Sequence, residues 1–148
     1  LNRSHYEDVL IVRVHDLVPK AVWQKRYRQI NDFERMLTEN GVTILKFFLH
    51  ISREEQRKRF EARIRESSRN WRLSLPDFEE RQHWGDYTEA YEAALRHCST
   101  GCAPWYVIPA NKKWFRNQVI ADLIVQALDR MKLKYPAPTV DLSKVVLD

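Results

Sequence analysis

The 148 residues are 44% hydrophobic and 30% charged with a formal net charge of +5, the balance of one globular domain able to bury a core and not that of a disordered chain. No apolar run approaches the roughly 18–20 residues of a membrane-spanning helix, and the first residues lack a signal peptide's order of basic, apolar and small groups. The cationic surplus suits a polyanion as partner: nucleic acid, nucleotide or polyphosphate.

The chain opens on NRSHYED (residues 2–8) without an initiator Met, and the apolar run DVLIVRV (8–14) follows at once. The run predicts a parallel strand covered on both faces. Titratable residues crowded at its mouth, with almost nothing before them, lead to the expectation that the chain begins partway through a longer fold. Residues 15–41 predict a loop and a long helix with Pro19 in its first turn. Its buried stripe would be Trp23, Tyr27, Ile30, Phe33 and Leu37, with Gly41 as its stop. VTILKFFLH (42–50) predicts a second buried strand. Ser52 and Glu55 form a capping-box pattern for an exposed helix anchored by Phe60 and Ile64.

Residues 67–77 read as a linker, and 76–97 as one helix with Trp84, Tyr87, Tyr91, Ala94 and Leu95 inward. PWYVIPA (104–110) predicts a third strand. The helix after it would bury Phe115, Val119, Leu123, Ala127 and Met131, and the tail from Tyr135 reads as extended surface chain. This order predicts an α/β three-layer sandwich with a parallel sheet. Ligands of such sheets bind at the carboxyl ends of strands, which places Asn2 to Tyr6, His50 and Pro109 at the working edge.

The segment 52–72 holds eight basic residues (Arg53, Arg57, Lys58, Arg59, Arg63, Arg65, Arg69, Arg72) against four acidic ones. Two readings fit: a solvated helix laced with i,i+4 ion pairs, or a mobile arginine-bearing lid that closes over phosphates. Arg59 and Arg63 share one helical face. KRYR (25–28) adds Lys25, Arg26 and Arg28, a surface that can steer a polyanion. Glu7 and Asp8 would face opposite ways on a strand. Asp8 then suits a magnesium ion or an attacking phosphate oxygen, and Glu7 a base or ribose contact; a plain strand-edge charge is the ordinary alternative for both. No G-x-x-x-x-G-K-[ST] loop is present, because none of Gly41, Gly85 and Gly101 is followed by Lys. His97, Cys98 and Cys102 would make three zinc ligands with no evident fourth, so free thiols in a reducing cytoplasm are the better reading.

Three stretches, residues 2–37, 43–63 and 103–131, closely resemble the family-2 polyphosphate kinases in motif order and spacing. NRSHYED is similar to the Walker B region of the branch that phosphorylates both nucleoside mono- and diphosphates, and residues 53–72 are similar to the family's lid. The resemblance implies magnesium-dependent (Mg2+) phosphoryl transfer between inorganic polyphosphate and AMP or ADP on a P-loop kinase fold. It implies phosphate binding for Arg3, magnesium binding or acceptor orientation for Asp8, acceptor handling for Asn2 and Glu7, and a phosphate grip for Arg59 and Arg63. Arg13, Lys20 and Arg28 are candidates for the polyphosphate path. The family's Walker A loop should precede residue 1. Residues 1–148 are therefore expected to form a partial P-loop domain with a lid over 52–77 and a tail over 135–148, its partner being the N-terminal half. A cytoplasmic homo-oligomer without membrane contact is expected. Nucleic acid is a poor partner, since Trp23 and Tyr87 lie on apolar stripes. The alternatives are a non-catalytic basic module binding polyphosphate or RNA, and another P-loop small-molecule kinase.

Overall fold

Strands β1 (Lys46–His50) and β2 (Trp105–Pro109) pair in parallel, with Phe48 opposite Val107 and His50 opposite Pro109. This computed structural model describes residues 4–137 and 139, with the backbone only of Arg69 and Arg72. Both strands are shorter than the apolar runs that contain them, and two strands make up the sheet among the described residues. The α/β class with a parallel sheet is as expected.

The run at 8–14 corrects the reading. It is no strand: a 3-10 turn spans His5–Val9 and a short helix, α1, spans Ile11–Val14. The Ser4 side chain accepts from the Tyr6 N–H, and the Leu10 N–H bonds back to the Tyr6 and Glu7 carbonyls. Tyr6, Val9 and Leu10 are the buried positions. That is helical spacing rather than alternation, and a short apolar run fits either period. Asp16 then takes a left-handed backbone (φ 48°) to reverse the chain.

Helix α2 spans Lys20–Glu39, with Pro19 just outside it as the N-cap residue. It buries Trp23, Tyr27, Ile30 and Glu34 at 4-, 3- and 4-residue steps. The expected stripe member Phe33 is 43% exposed, and the adjacent glutamate takes its place inside. Gly41 (φ 83°) ends the helix in a Schellman arrangement, with Val42 N–H to the Leu37 carbonyl and Gly41 N–H to that of Thr38.

Helix α3 covers Arg53–Arg65. Only half of the expected capping box forms: the Ser52 hydroxyl accepts from the Glu55 N–H, while the Ser52 N–H goes to the Asn111 side chain. The expected linker contains structure, a 3-10 turn over Ser67–Arg72 and helix α4 (Leu75–Glu80) with a Ser74/Asp77 capping box. The single helix expected over 76–97 is broken at a 3-10 turn, Arg81–His83, before α5 (Trp84–Cys98). Ala90, Ala94 and Cys98 are the residues α5 buries, one small residue every four. Their size lets α5 lie close to Tyr6, Val9 and Leu10, and with Trp23, Tyr27 and Ile30 these form the core. Helix α6 (Lys113–Met131) packs along β2 and buries Ala127, whereas Phe115 and Met131 of its expected stripe stay largely exposed. Of the tail, residues 138 and 140–148 lie outside the described residues.

Candidate functional site

The carboxyl ends of β1 and β2 carry His50 and Pro109, and the basic helix α3 is moored beside them. Asn111, in the loop between β2 and α6, receives the Ser52 N–H at 3.0 Å. Arg59 reaches across from α3 to the Ala110 and Asn111 carbonyls (2.8 and 3.2 Å), and its Nε bonds Glu55 at 2.8 Å. Arg81 holds the same N-terminal end of the helix through the Arg53 carbonyl and the Gln56 side chain. Arg63 lies over the Phe60 ring at 5.9 Å. The outward side of α3 is laced by Arg57 with Glu54 and Glu61, as the ion-pair reading expects. The ion-pair reading therefore holds along α3, with Arg59 paired to Glu55 on its inner side as well.

A cleft of about 840 Å³ opens between β1 and the layer formed by α3, α4 and α5. Phe48 and His50 line it from the strand, Gln56 and Phe60 from α3, Tyr87 and Tyr91 from α5, and Ser4 and Tyr6 from the N-terminal turn. The turn and the basic helix thus share one cleft. Burial, with the Glu7 charge added, pushes the Tyr91 phenol up. Tyr87 rises with burial and its bond to Glu80. A smaller hollow of about 210 Å³ lies at the strand ends between His50, Asn111, Lys112 and Phe115.

The candidate residues divide as follows. Asn2 and Arg3 lie outside the described residues. Glu7 and Asp8 sit on a 3-10 turn instead of a strand, and they still diverge, since neighbours on such a turn are about 120° apart. Glu7 is half-buried with its charge felt by Tyr91 and Tyr87 of α5. Asp8 is exposed on the α2 side, where Arg26 holds its carbonyl at 2.9 Å and its Oδ1 at 3.3 Å. Arg13 stacks over Trp23 at 5.2 Å and reaches Glu89. Lys20 and Arg28 are exposed on α2, about 12 Å apart along its axis at 1.5 Å per residue.

A magnesium ion in a phosphate site takes one or two carboxylates and draws its other ligands from phosphate and water. Asp8 has the chemistry of one such ligand, with Oδ2 left by the Arg26 contact. Among the described residues no group of three acidic, His or Cys side chains is placed to hold a metal by itself. Cys98 is buried, which pushes its thiol up to about 11. Cys102 is exposed and its thiol is held below its ordinary value by a hydrogen bond from Thr100.

Sequence reasoning missed the cluster under the turn. Lys46 and Glu34 form an ion pair at 2.6 Å with side chains 6% and 0% exposed. The Lys46 ammonium also donates to the Tyr6 hydroxyl (2.8 Å) and the Cys98 carbonyl (2.7 Å), and it lies 5.3 Å from the Tyr6 and Trp105 ring centres. The Tyr6 hydroxyl in turn donates to Glu34 at 2.8 Å, and the His5 ring stands 3.2 Å from the same oxygen. Burial first, and then Glu34, push the Tyr6 phenol far up. The signal was present: an acid at a stripe position of α2 and a lysine inside TILKFFL.

Comparison with known proteins adds to this geometry. The family model described as polyphosphate kinase 2 matches residues 1–136. The chain is 54% identical over 147 residues to an AMP/ADP-polyphosphate phosphotransferase of Meiothermus ruber, covering 99% of this chain and 55% of that protein. It is 46% identical to an ADP-polyphosphate phosphotransferase of Rhodopseudomonas palustris, covering 93% of this chain and 52% of the other. The crystal structure of polyphosphate kinase 2 from Arthrobacter aurescens TC1 superposes with a TM-score of 0.92 at 46% identity, over 96% of this chain and 50% of that one. The chain thus spans about half the length of these relatives.

Proposed function

The chain belongs to the polyphosphate kinase 2 family, and from that premise we propose that the protein carrying it transfers phosphoryl groups between inorganic polyphosphate and a nucleoside mono- or diphosphate. The observation that carries this reading is the 54% identity to an AMP/ADP-polyphosphate phosphotransferase along 99% of the chain. The basic helix moored beside the carboxyl ends of the two parallel strands supports it.

In the proposed reaction a terminal phosphate oxygen of the nucleotide attacks the last phosphorus of polyphosphate. One P–O–P bond breaks, and the leaving group is polyphosphate shortened by one unit. Such a transfer asks the protein mainly for positioning and for cations where negative charge gathers. Arg63, and Arg59 once it exchanges two backbone carbonyls for phosphate oxygens, supply bidentate, permanently charged donors. Helix α3 closing over the cleft excludes water, so that transfer prevails over hydrolysis. Glu7 and Asp8 orient the acceptor, Arg3 contacts its phosphates, and the exposed Lys20 and Arg28 guide the polyphosphate with Arg13 nearby. Magnesium, when bound with Asp8 among its ligands, offsets phosphate charge. The phosphate loop of the P-loop fold comes from polypeptide other than residues 1–148, and the protein works in the cytoplasm as a homo-oligomer.

The test is ATP formation from ADP, polyphosphate and magnesium chloride by the purified protein, with chelator as control. Chelator-sensitive ATP that scales with protein supports the proposal. Polyphosphate binding without any ATP or ADP formation from ADP or AMP would make the chain a binding module instead.

A further inference from the structure

Four elements meet at the buried charge pair. Lys46 of β1 has three N–H donors, and they go to Glu34 of α2, the Tyr6 hydroxyl and the Cys98 carbonyl at the end of α5. Glu34 receives the Tyr6 hydroxyl and faces the His5 ring. As a source of stability this is a poor arrangement, because desolvating two charges offsets most of their attraction and apolar residues of the same volume do as well. Apolar packing does not dictate direction, however, and a saturated set of hydrogen bonds does.

The element that needs direction is the turn His5–Val9. Its internal bonds are short-range, such as Glu7 N–H to the Ser4 carbonyl and Leu10 N–H to that of Tyr6. Tyr6, Glu7 and Asp8 are consecutive, about 120° apart around the turn. Holding Tyr6 inward therefore sends Glu7 toward α5 and Asp8 toward Arg26 of α2, as observed. A rotation of the turn by one residue would bury a carboxylate beside Glu34 and Lys46 and take the phenol off both.

We propose that Glu34 and Lys46 are positioning residues for phosphoryl transfer: through Tyr6 and His5 they set the rotation of the turn, and so where Glu7 and Asp8 stand. This rests on the reading of those two carboxylates as acceptor-side groups. The site needs no contact between the pair and either substrate.

The test compares the parent protein with Tyr6→Phe and with the triple variant Tyr6→Phe/Glu34→Met/Lys46→Met, by amide hydrogen exchange and steady-state kinetics. The triple variant removes the buried charges together and keeps apolar volume. Its melting temperature and the exchange protection of the β1 and β2 amides should stay near those of the parent. The amides of Glu7 and Leu10 should exchange at least about tenfold faster, and kcat should fall at least about tenfold with the KM for polyphosphate nearly unchanged. Parent-like turn protection or kcat in the folded triple variant overturns the proposal, since the pair would then be only structural. Should the triple variant not fold, Tyr6→Phe decides: faster exchange confined to the turn supports the link, and unchanged or chain-wide exchange refutes it. A parent protein that forms no ATP sinks the proposed function, while the exchange comparison still judges the positioning role.

Discussion

Lys46–Glu34 and Arg57–Glu54 are the same chemistry, a basic side chain against a glutamate at 2.6 and 3.0 Å, placed in two different media. The first pair has side chains 6% and 0% exposed, the second 56% and 54%. In water the Arg57 pair is screened and replaceable. In the core neither Lys46 nor Glu34 has water to fall back on, so each depends on the other. What the contrast teaches is that a charged pair should be judged by what it forbids as well as by its distance. The buried pair forbids other positions of the turn above it; the exposed pair lies within α3 and fixes nothing outside that helix.

The comparison can be broken most directly at Lys46. Lys46→Met leaves Glu34 buried and uncompensated and should lower unfolding stability by about 3–5 kcal/mol in chemical denaturation; a loss under about 1 kcal/mol would show that water reaches the pair. On α3, the proposed phosphate grip predicts that Arg63→Ala reduces phosphoryl transfer by about tenfold or more. Its melting curve should match the parent's, and a matching loss of stability would make Arg63 a packing residue on Phe60. Ser52→Ala removes the cap of α3 and should cost about 1 kcal/mol, with increased protease cutting within 53–65 as the readout.

Acid sharpens the contrast at the corner before α5. The Tyr87 hydroxyl, with His15 and His83 nearby, holds the Glu80 carboxyl below its ordinary 4.5. A depressed carboxylate contributes stability that is present above its unfolded value and lost as pH falls through the folded one. Melting temperature should therefore drop more steeply below about pH 4.5 in the parent than in Glu80→Gln. Equal slopes would remove Glu80 from the account. The smallest effect is expected of Glu54→Gln, which should leave the melting temperature unchanged.

Much of this was legible from residue spacing. The Trp23, Tyr27 and Ile30 stripe of α2, the strands around Lys46–His50 and Trp105–Pro109, and the Ser52 cap follow from local period and chemistry, whereas on α5 the buried row is Ala90, Ala94 and Cys98, sharing only Ala94 with the expected stripe. The basic face of α3 that carries Arg59 and Arg63 was legible, because it follows from residue types on one regular helix. The site was not legible where the backbone period was ambiguous. DVLIVRV has the composition of a buried strand, and nothing within seven residues distinguishes that from turns burying Tyr6, Val9 and Leu10.

The sequence by itself determined the family, the parallel α/β class and the cationic character of α3, because each is carried by motifs, periods and their order along the chain. Tertiary structure alone decided the fate of residues 5–14 and the burial of Glu34. A carboxylate stays inside only when partners arrive to satisfy it, and here they come from Lys46, 12 residues away, and Tyr6, 28 residues away. Desolvation is a property of the assembled neighbourhood: the stripe spacing of α2 marks the position of Glu34, and only the arriving partners make its burial possible.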